Sequence, residues 1–180
     1  MDRLTPDDQP STSGVQGLPT RVRCRTIALD FGGTISTDHE DRVLGQKRVE
    51  QRAAAALHEL SRMGVRLLLA SNALAPETRW PALQVAGVHE LFAVGLISYS
   101  LNVAKDEPLF YDLVLTAARC PARDVLFVGN SIADDVAGPM RAGMQACLVR
   151  PGGLRPGEHL PDGALLIGHI AELPPLLEAR

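Results

Sequence analysis

The sequence predicts an α/β protein with a doubly wound parallel sheet and helices on both faces. Two observations carry that prediction. Short apolar runs recur along the chain and are continuous rather than alternating in polarity, as strands buried on both faces require. Between them lie stretches with apolar residues at helical spacing, opened by proline or closed by glycine. Strands alternating with helices in this way need crossover connections, which cover both faces of a parallel sheet.

A chain of 180 residues with 46% apolar and 22% charged residues has the size and composition of one globular domain with a substantial core. A net charge of −3 and an aromatic content of only 4% argue against a nucleic-acid-binding surface or an anionic membrane as partner. The three cysteines, Cys24, Cys120 and Cys147, are scattered without metal-ligand spacing and read as core thiols of a reducing compartment. No apolar run has the length of a membrane span or the pattern of a signal peptide, so a cytoplasmic location is expected.

Residues 1–20, rich in Asp, Pro, Ser, Thr and Gly, read as a disordered leader, and 21–180 as the folded domain. The alternating run Arg21–Arg25 leads into a first strand, Thr26–Leu29, that ends in Asp30. Gly32 and Gly33 then permit a tight turn and close approach of the backbone to a ligand. Ser36–Gly45, with Thr37, Asp38, His39, Glu40 and Asp41, is expected to form a solvated flap beside that turn. From Gln46 to Met63, Val49, Ala53, Ala56, Leu57 and Leu60 recur at helical spacing, with Gly64 as the stop.

Val65–Ala70 is a second buried strand, ending in Ser71 and Asn72. Pro76 suits the first turn of a helix that Pro81 would kink or restart and Gly87 would end. A third strand, Val94–Ile97, is weakened by Gly95. Lys105 follows on a loop, ahead of a helix over 107–118. The fourth strand, Val125–Val128, runs into Gly129-Asn130-Ser131, where Ser131 and Asp134 have capping-box spacing for a helix ending near Gly143. Ala146–Val149 is a fifth strand, Leu165–Ile167 a short edge strand, and Ile170–Ala179 a final helix broken at Pro174-Pro175.

The polar groups fall at strand ends. Asp30, Ser71-Asn72, Lys105 and the cluster Asn130–Asp135 each follow an apolar run, and a parallel sheet brings such positions to one edge. A carboxylate, a hydroxyl, a cation and further carboxylates meeting in one crevice fit phosphoryl chemistry. The carboxylate serves as nucleophile, the lysine neutralises phosphate oxygens, and carboxylates hold a magnesium ion. Turn amides around Gly32-Gly33 and near Asn72 would form an anion-binding concavity. Taken singly, each residue has a plainer role: Asp30 and Ser71 as turn residues, Lys105 as a surface lysine, Asp134 as a helix cap.

In order, the segments Asp30-Phe31-Gly32-Gly33-Thr34, Ser71-Asn72, Lys105 and Gly129–Gly138 resemble the four motifs of the haloacid dehalogenase-like (HAD) hydrolase superfamily. The resemblance covers about 25–150 and implies a Rossmann-like core. It assigns Asp30 as nucleophile and magnesium ligand, with the Gly32 carbonyl as a second ligand. Ser71 and the Asn72 backbone would bind the phosphoryl group together with Gly33 and Thr34, and Lys105 would orient both Asp30 and the phosphate. Asn130, Asp134 and Asp135 would complete the metal shell, Asp135 in register with the family's last aspartate. Neither the stretch after Thr34 nor that between Asn72 and Lys105 has room for the cap domain that members usually carry. A capless member has an open site, suited to a bulky phosphorylated protein, lipid or nucleotide end, or to a lid supplied by a partner subunit of a homo-oligomer.

Two positions depart from the pattern. The family's phosphatases place a general acid/base aspartate two residues after the nucleophile, where this chain has Gly32. Asn130 stands where a metal-binding aspartate is usual. Asp38, His39 and Asp41 of the flap are the candidate replacement acids, His39 foremost because imidazole titrates nearest neutral pH. The expected function is a magnesium-dependent phosphohydrolase or phosphotransferase acting through an aspartyl phosphate on Asp30, slow or specialised because of Gly32. The alternatives are a non-catalytic phosphate-binding or protein-interaction module and, below it, a dehalogenase.

Overall fold

Every residue of Thr26–Leu29 (β1) is buried, and the rest of the sheet is laid out around it. The computed structural model describes residues 21–74 and 78–178; the leader and Pro76 lie outside the described residues. In chain order β1 is followed by β2 (Ser36–Asp41), β3 (Gln46–Val49), α1 (Gln51–Arg62), β4 (Arg66–Ser71) and α2 (Trp80–Val85). Then come β5 (Phe92–Ile97), α3 (Ser98–Leu101), α4 (Pro108–Ala118) and β6 (Val125–Gly129). A π-helical turn (Ile132–Ala137) runs into α5 (Gly138–Arg141), and β7 (Gln145–Val149) and β8 (Leu165–Ile167) complete the sheet.

Six strands form one parallel sheet in the order β5-β4-β1-β6-β7-β8. Because side chains alternate along a strand, β1 sends Ile27 and Leu29 to one face and Ala28 to the other. The first face is packed by Ala53, Leu57 and Leu60 of α1 with Leu83 of α2. The second is packed by Phe110, Val114 and Ala118 of α4. The sheet is thus covered on both sides, as the continuous apolar runs predict, and among the described residues no cap domain interrupts it. Among the described residues no helix is long and apolar enough to cross a membrane.

Three local expectations are corrected. The polar flap is an antiparallel hairpin, with Ser36 opposite Val49, Glu40 opposite Lys47 and Asp41 opposite Gln46. Its turn is made by Asp41, whose Oδ1 accepts from the amides of Val43 and Leu44 at 2.9 Å, and by Gly45 at φ 64°. The helix expected from Gln46 therefore starts only at Gln51, since residues 46–49 are used by β3. Pro81 restarts a helix, one of the two outcomes expected of it, and stands in the first turn of α2. The broken C-terminal helix is two 3-10 turns, Ile170–Glu172 and Pro174–Leu176.

Candidate active site

The carboxyl ends of β1, β4 and β6 lie side by side, and the loops leaving them carry the polar residues. Lys105 reaches in from the loop before α4. Its Nζ donates to Asp30 Oδ1 at 2.7 Å and to Asp135 Oδ1 at 2.8 Å, and all three side chains are buried. The ring of Phe127 lies 5.4 Å from the same ammonium. Burial alone would push the Lys105 ammonium down; Asp30 and Asp135 on either side outweigh it and hold it above the usual lysine range. Burial pushes the Asp135 carboxyl up, reinforced by the charge of Asp30 and opposed by Lys105. Two buried carboxylates against one ammonium leave an excess negative charge at the centre of the site.

Each loop is shaped by its own residues. Beyond β1, the amides of Ile35 and Ser36 both turn back onto Phe31 O at 3.1 Å, and Gly33 takes φ 67°, a left-handed conformation suited to glycine. Gly33 also has no room for a side chain, since a Cβ there would lie 2.2 Å from Asn130 Nδ2. Its N–H is taken by Ser36 Oγ at 3.1 Å, whereas the amides of Phe31 and Gly32 have no acceptor among the described residues. Among the amides of this turn, that of Gly33 is thus occupied and those of Phe31 and Gly32 are left to a ligand. The Thr34 hydroxyl donates to Asp30 Oδ2 at 3.3 Å.

Beyond β4, the buried Ser71 donates its hydroxyl to Asn72 O at 3.2 Å. Asn72 tethers the lysine loop: its Oδ1 accepts from the Lys105 amide at 3.1 Å. Beyond β6, Ser131 Oγ accepts from Asp134 N at 3.2 Å and donates to Asp134 Oδ2 at 3.3 Å, so Asp134 acts as part of a helix cap. The Ser131 amide, which a full capping box would give to Asp134, goes instead to Asp135 Oδ2 at 2.9 Å. That bond turns Asp135 inward toward Lys105. The structure thus brings Asp30, Lys105 and Asp135 together, with Thr34 against Asp30 and Asn130 against Gly33. It leaves the Asp134 carboxylate on Ser131.

Tyr111 of α4 has no signal in the sequence beyond its helical register. Its hydroxyl lies 2.5 Å from Lys105 O and 2.8 Å from Asp134 O, donating to one at a time, and so ties the lysine loop to the acidic turn. Burial, with Asp134 and Asp135 nearby, pushes its pKa up and keeps the hydroxyl a donor. A Cβ at Gly138 would lie 2.1 Å from this oxygen, which explains the glycine there.

The flap acids separate by geometry. The Asp41 carboxyl is held below its usual range by the Leu44 amide and by Arg48, whose Nε is 2.7 Å from Oδ2, and so carries no proton at neutral pH. Asp38, His39 and Glu40 are all exposed. Glu40 is the flap acid that borders Gly32, both lining a cavity of about 270 Å3 with Phe31, Gln46, Lys47 and Arg79.

The donors present suit magnesium. Among the described residues no group of three or more His, Cys, Asp or Glu side chains is placed to hold a metal. Asp30 and Asp135, held together on Lys105, are hard oxygen donors, few in number, beside an uncompensated negative charge. A magnesium ion takes one or two carboxylates and keeps several waters.

A profile of the haloacid dehalogenase-like hydrolase family matches residues 36–143. Phosphoserine phosphatase of Thermus thermophilus is 31% identical to this chain, over 91% of the chain and 69% of its own length. A phosphatase of Mycobacterium tuberculosis is 37% identical over 58% of this chain; the matched part is about half, 48%, of that relative. A solved structure from Listeria monocytogenes superposes with a TM-score of 0.72 at 21% identity, covering 84% of this chain and 96% of that one. At that identity the superposition speaks for the fold alone.

Proposed function

Because the chain belongs to the haloacid dehalogenase-like hydrolases, we propose that it is a magnesium-dependent phosphatase whose nucleophile is Asp30. The observation that carries this reading is the Lys105 ammonium shared between Asp30 and Asp135, deep in the crevice at the strand ends.

A carboxylate oxygen of Asp30 attacks phosphorus, the bond to the substrate's ester oxygen breaks, and an aspartyl phosphate forms. The departing alkoxide takes a proton from water. Water then attacks the same phosphorus, releasing inorganic phosphate and restoring the carboxylate. Lys105 holds Asp30 in place and carries positive charge to the phosphoryl oxygens, assisted by the amides of Phe31 and Gly32. Asp30, Asp135, Asn130 and the Gly32 carbonyl would hold magnesium, which when bound screens the phosphate charge. Asp135 is fixed by the Ser131 amide and Lys105 by Asn72 and Tyr111, so the site is built before substrate arrives.

Gly32 supplies no acid, and general acid catalysis contributes about 10²–10⁴-fold, so turnover of substrates with poor leaving groups is slow. That same feature favours a second reading, a phosphate-binding module without turnover. Assay with p-nitrophenyl phosphate and magnesium decides between them. Hydrolysis abolished by Asp30→Asn supports the phosphatase. Equal rates in wild type and variant, or phosphate binding with no hydrolysis, overturn it.

A further inference from the structure

The amino ends of the strands carry a charge unlike that of the chain as a whole. The net charge of the chain is −3, yet arginines gather where β1, β4, β6 and β7 begin. Arg25 precedes Thr26, Arg66 opens β4, Arg123 and Asp124 precede Val125, and Gln145 opens β7. Hydrogen bonds join these positions into one neighbourhood. Arg66 N donates to Arg25 O at 3.0 Å and Arg25 N to Asp124 O at 2.7 Å. Gln145 Nε2 bridges Arg23 O at 2.8 Å and Arg123 O at 2.7 Å. Arg66 Nε reaches Ala117 O at 3.3 Å, next to the turn that carries Arg119.

Arg21, Arg23, Arg25, Arg62, Arg119 and Arg123 are exposed, and Arg66 is half-buried. Arg25 meets Asp124 at 4.0 Å and Arg66 is held by Ala117. The guanidinium groups of Arg21, Arg23, Arg62, Arg119 and Arg123 have no partner among the described residues. Arg62 closes α1 and Arg119 caps α4, where the helix dipole favours a cation. Arg21 and Arg23 have no such local reason. Against these seven arginines, the segments 21–25, 59–66 and 117–124 with residue 178 supply three carboxylates, Glu59, Asp124 and Glu178.

The arrangement is linear as well as basic. Arg21, Arg23 and Arg25 alternate with the buried Val22 and Cys24, and Val22 pairs with Leu177. Exposed residues two apart on extended backbone lie about 7 Å apart, which is also the spacing of alternate side chains in an extended peptide.

We propose that this face docks an extended acidic segment of a partner protein, whose alternate carboxylates pair with Arg21, Arg23 and Arg25 and whose flanking ones pair with Arg119 and Arg123. Guanidinium groups take carboxylates by two parallel hydrogen bonds, which gives such a face its selectivity. These segments hold no aromatic side chain to stack a nucleic-acid base. They also hold no exposed large apolar side chain to enter a membrane. The catalytic crevice lies at the opposite, carboxyl ends of the same strands, so a docked partner leaves it open. Docking here is independent of what the crevice catalyses.

The probe is a fluorescein-labelled peptide of alternating glutamate and serine, followed by anisotropy at an ionic strength of about 0.15 M. It is expected to bind, its glutamine counterpart is not, and about 1 M salt releases it. Arg23→Glu combined with Arg123→Glu weakens binding by about tenfold or more. The urea midpoint stays unchanged, since Gln145 is held by the backbone carbonyls of these two residues and not by their side chains. Arg42→Glu combined with Arg155→Glu, exposed on the hairpin turn and on the loop after β7, changes the net charge equally and leaves binding intact. Failure of the acidic peptide to bind, or equal weakening by the two pairs of substitutions, overturns the proposal. Tighter binding of a DNA duplex or of phosphatidylserine vesicles than of the peptide overturns it too.

Discussion

Gly129 lies directly beneath the carboxylate of Asp135: a Cβ on Gly129 would stand 2.2 Å from the Asp135 carboxyl carbon and 2.3 Å from Oδ2. The last residue of β6 is therefore a glycine because the acidic side chain folds back over it, held by the Ser131 amide and Lys105.

Gly129→Ala consequently displaces Asp135. The expected cost is about 1–3 kcal/mol, that of overpacking a filled site, measured by urea denaturation. Phosphatase activity falls with it, because the carboxylate leaves Lys105. A fully active variant of unchanged stability would contradict the close packing.

Lys105→Met leaves Asp30 and Asp135 buried together without a cation. Breaking a buried ion pair by removing one partner costs about 3–5 kcal/mol, and that range is expected for the urea midpoint converted to free energy. Magnesium should stabilise the wild type by about 2.7 kcal/mol at one hundred times its dissociation constant. Asp135→Asn should lose that increment while phosphate-free protein remains folded, a readout that needs no substrate.

Gly32→Asp is expected to raise turnover. A Cβ at Gly32 meets nothing within 4 Å, and its backbone, unlike that of Gly33, is not left-handed. The new carboxyl faces the cavity where the departing alcohol needs a proton, so kcat for a poor leaving group should rise by up to about 10²-fold, with little change for p-nitrophenyl phosphate. An equal rise for both substrates would show that proton donation is not what Gly32 lacks.

Stability should decline in alkali. Burial pushes the Cys147 thiol from 9.0 up to about 12, and the Tyr111 hydroxyl is pushed up from 10.0. As pH rises above about 9 for Cys147 and about 10 for Tyr111, the unfolded chain releases the proton first and binds fewer than the native state, so stability falls at about 1.4 kcal/mol per pH unit for each group. The contribution of Cys147 is fully present below pH 9 and lost by about pH 12. Cys147→Ala should flatten the decline between pH 9 and 10 in urea titrations, whatever its effect on absolute stability. Lys105, held above its usual 10.5, adds to the decline above about pH 10.5, where the unfolded lysine releases its proton and the native one keeps it.

The sheet was legible because its signals are local. Continuous apolar runs at Thr26–Leu29, Val65–Ala70 and Val125–Val128 mark strands buried on both faces whatever surrounds them, and the polar residues beyond each run mark the strand end. The hairpin was not legible. Its strands carry Asp38, His39, Glu40, Lys47 and Arg48, with no apolar alternation, and they pair because Asp41 and Gly45 make the turn. Likewise the hairpin places Glu40, not His39, on the cavity wall, although both are exposed.

By itself the sequence determined the succession of the sheet's six strands along the chain, the residues at each strand end and the absence of a side chain at Gly32. These follow from periodicity and composition over a few residues. Only the tertiary structure decided that Asn72 tethers the Lys105 loop, that Tyr111 joins that loop to the acidic turn, and that the Ser131 amide turns Asp135 rather than Asp134 inward. Asn72 and Lys105 are 33 residues apart in the chain and Asp30 and Lys105 are 75. Contacts across such distances leave no periodic trace, because they are set by how the β-sheet edge gathers its loops rather than by neighbouring residues.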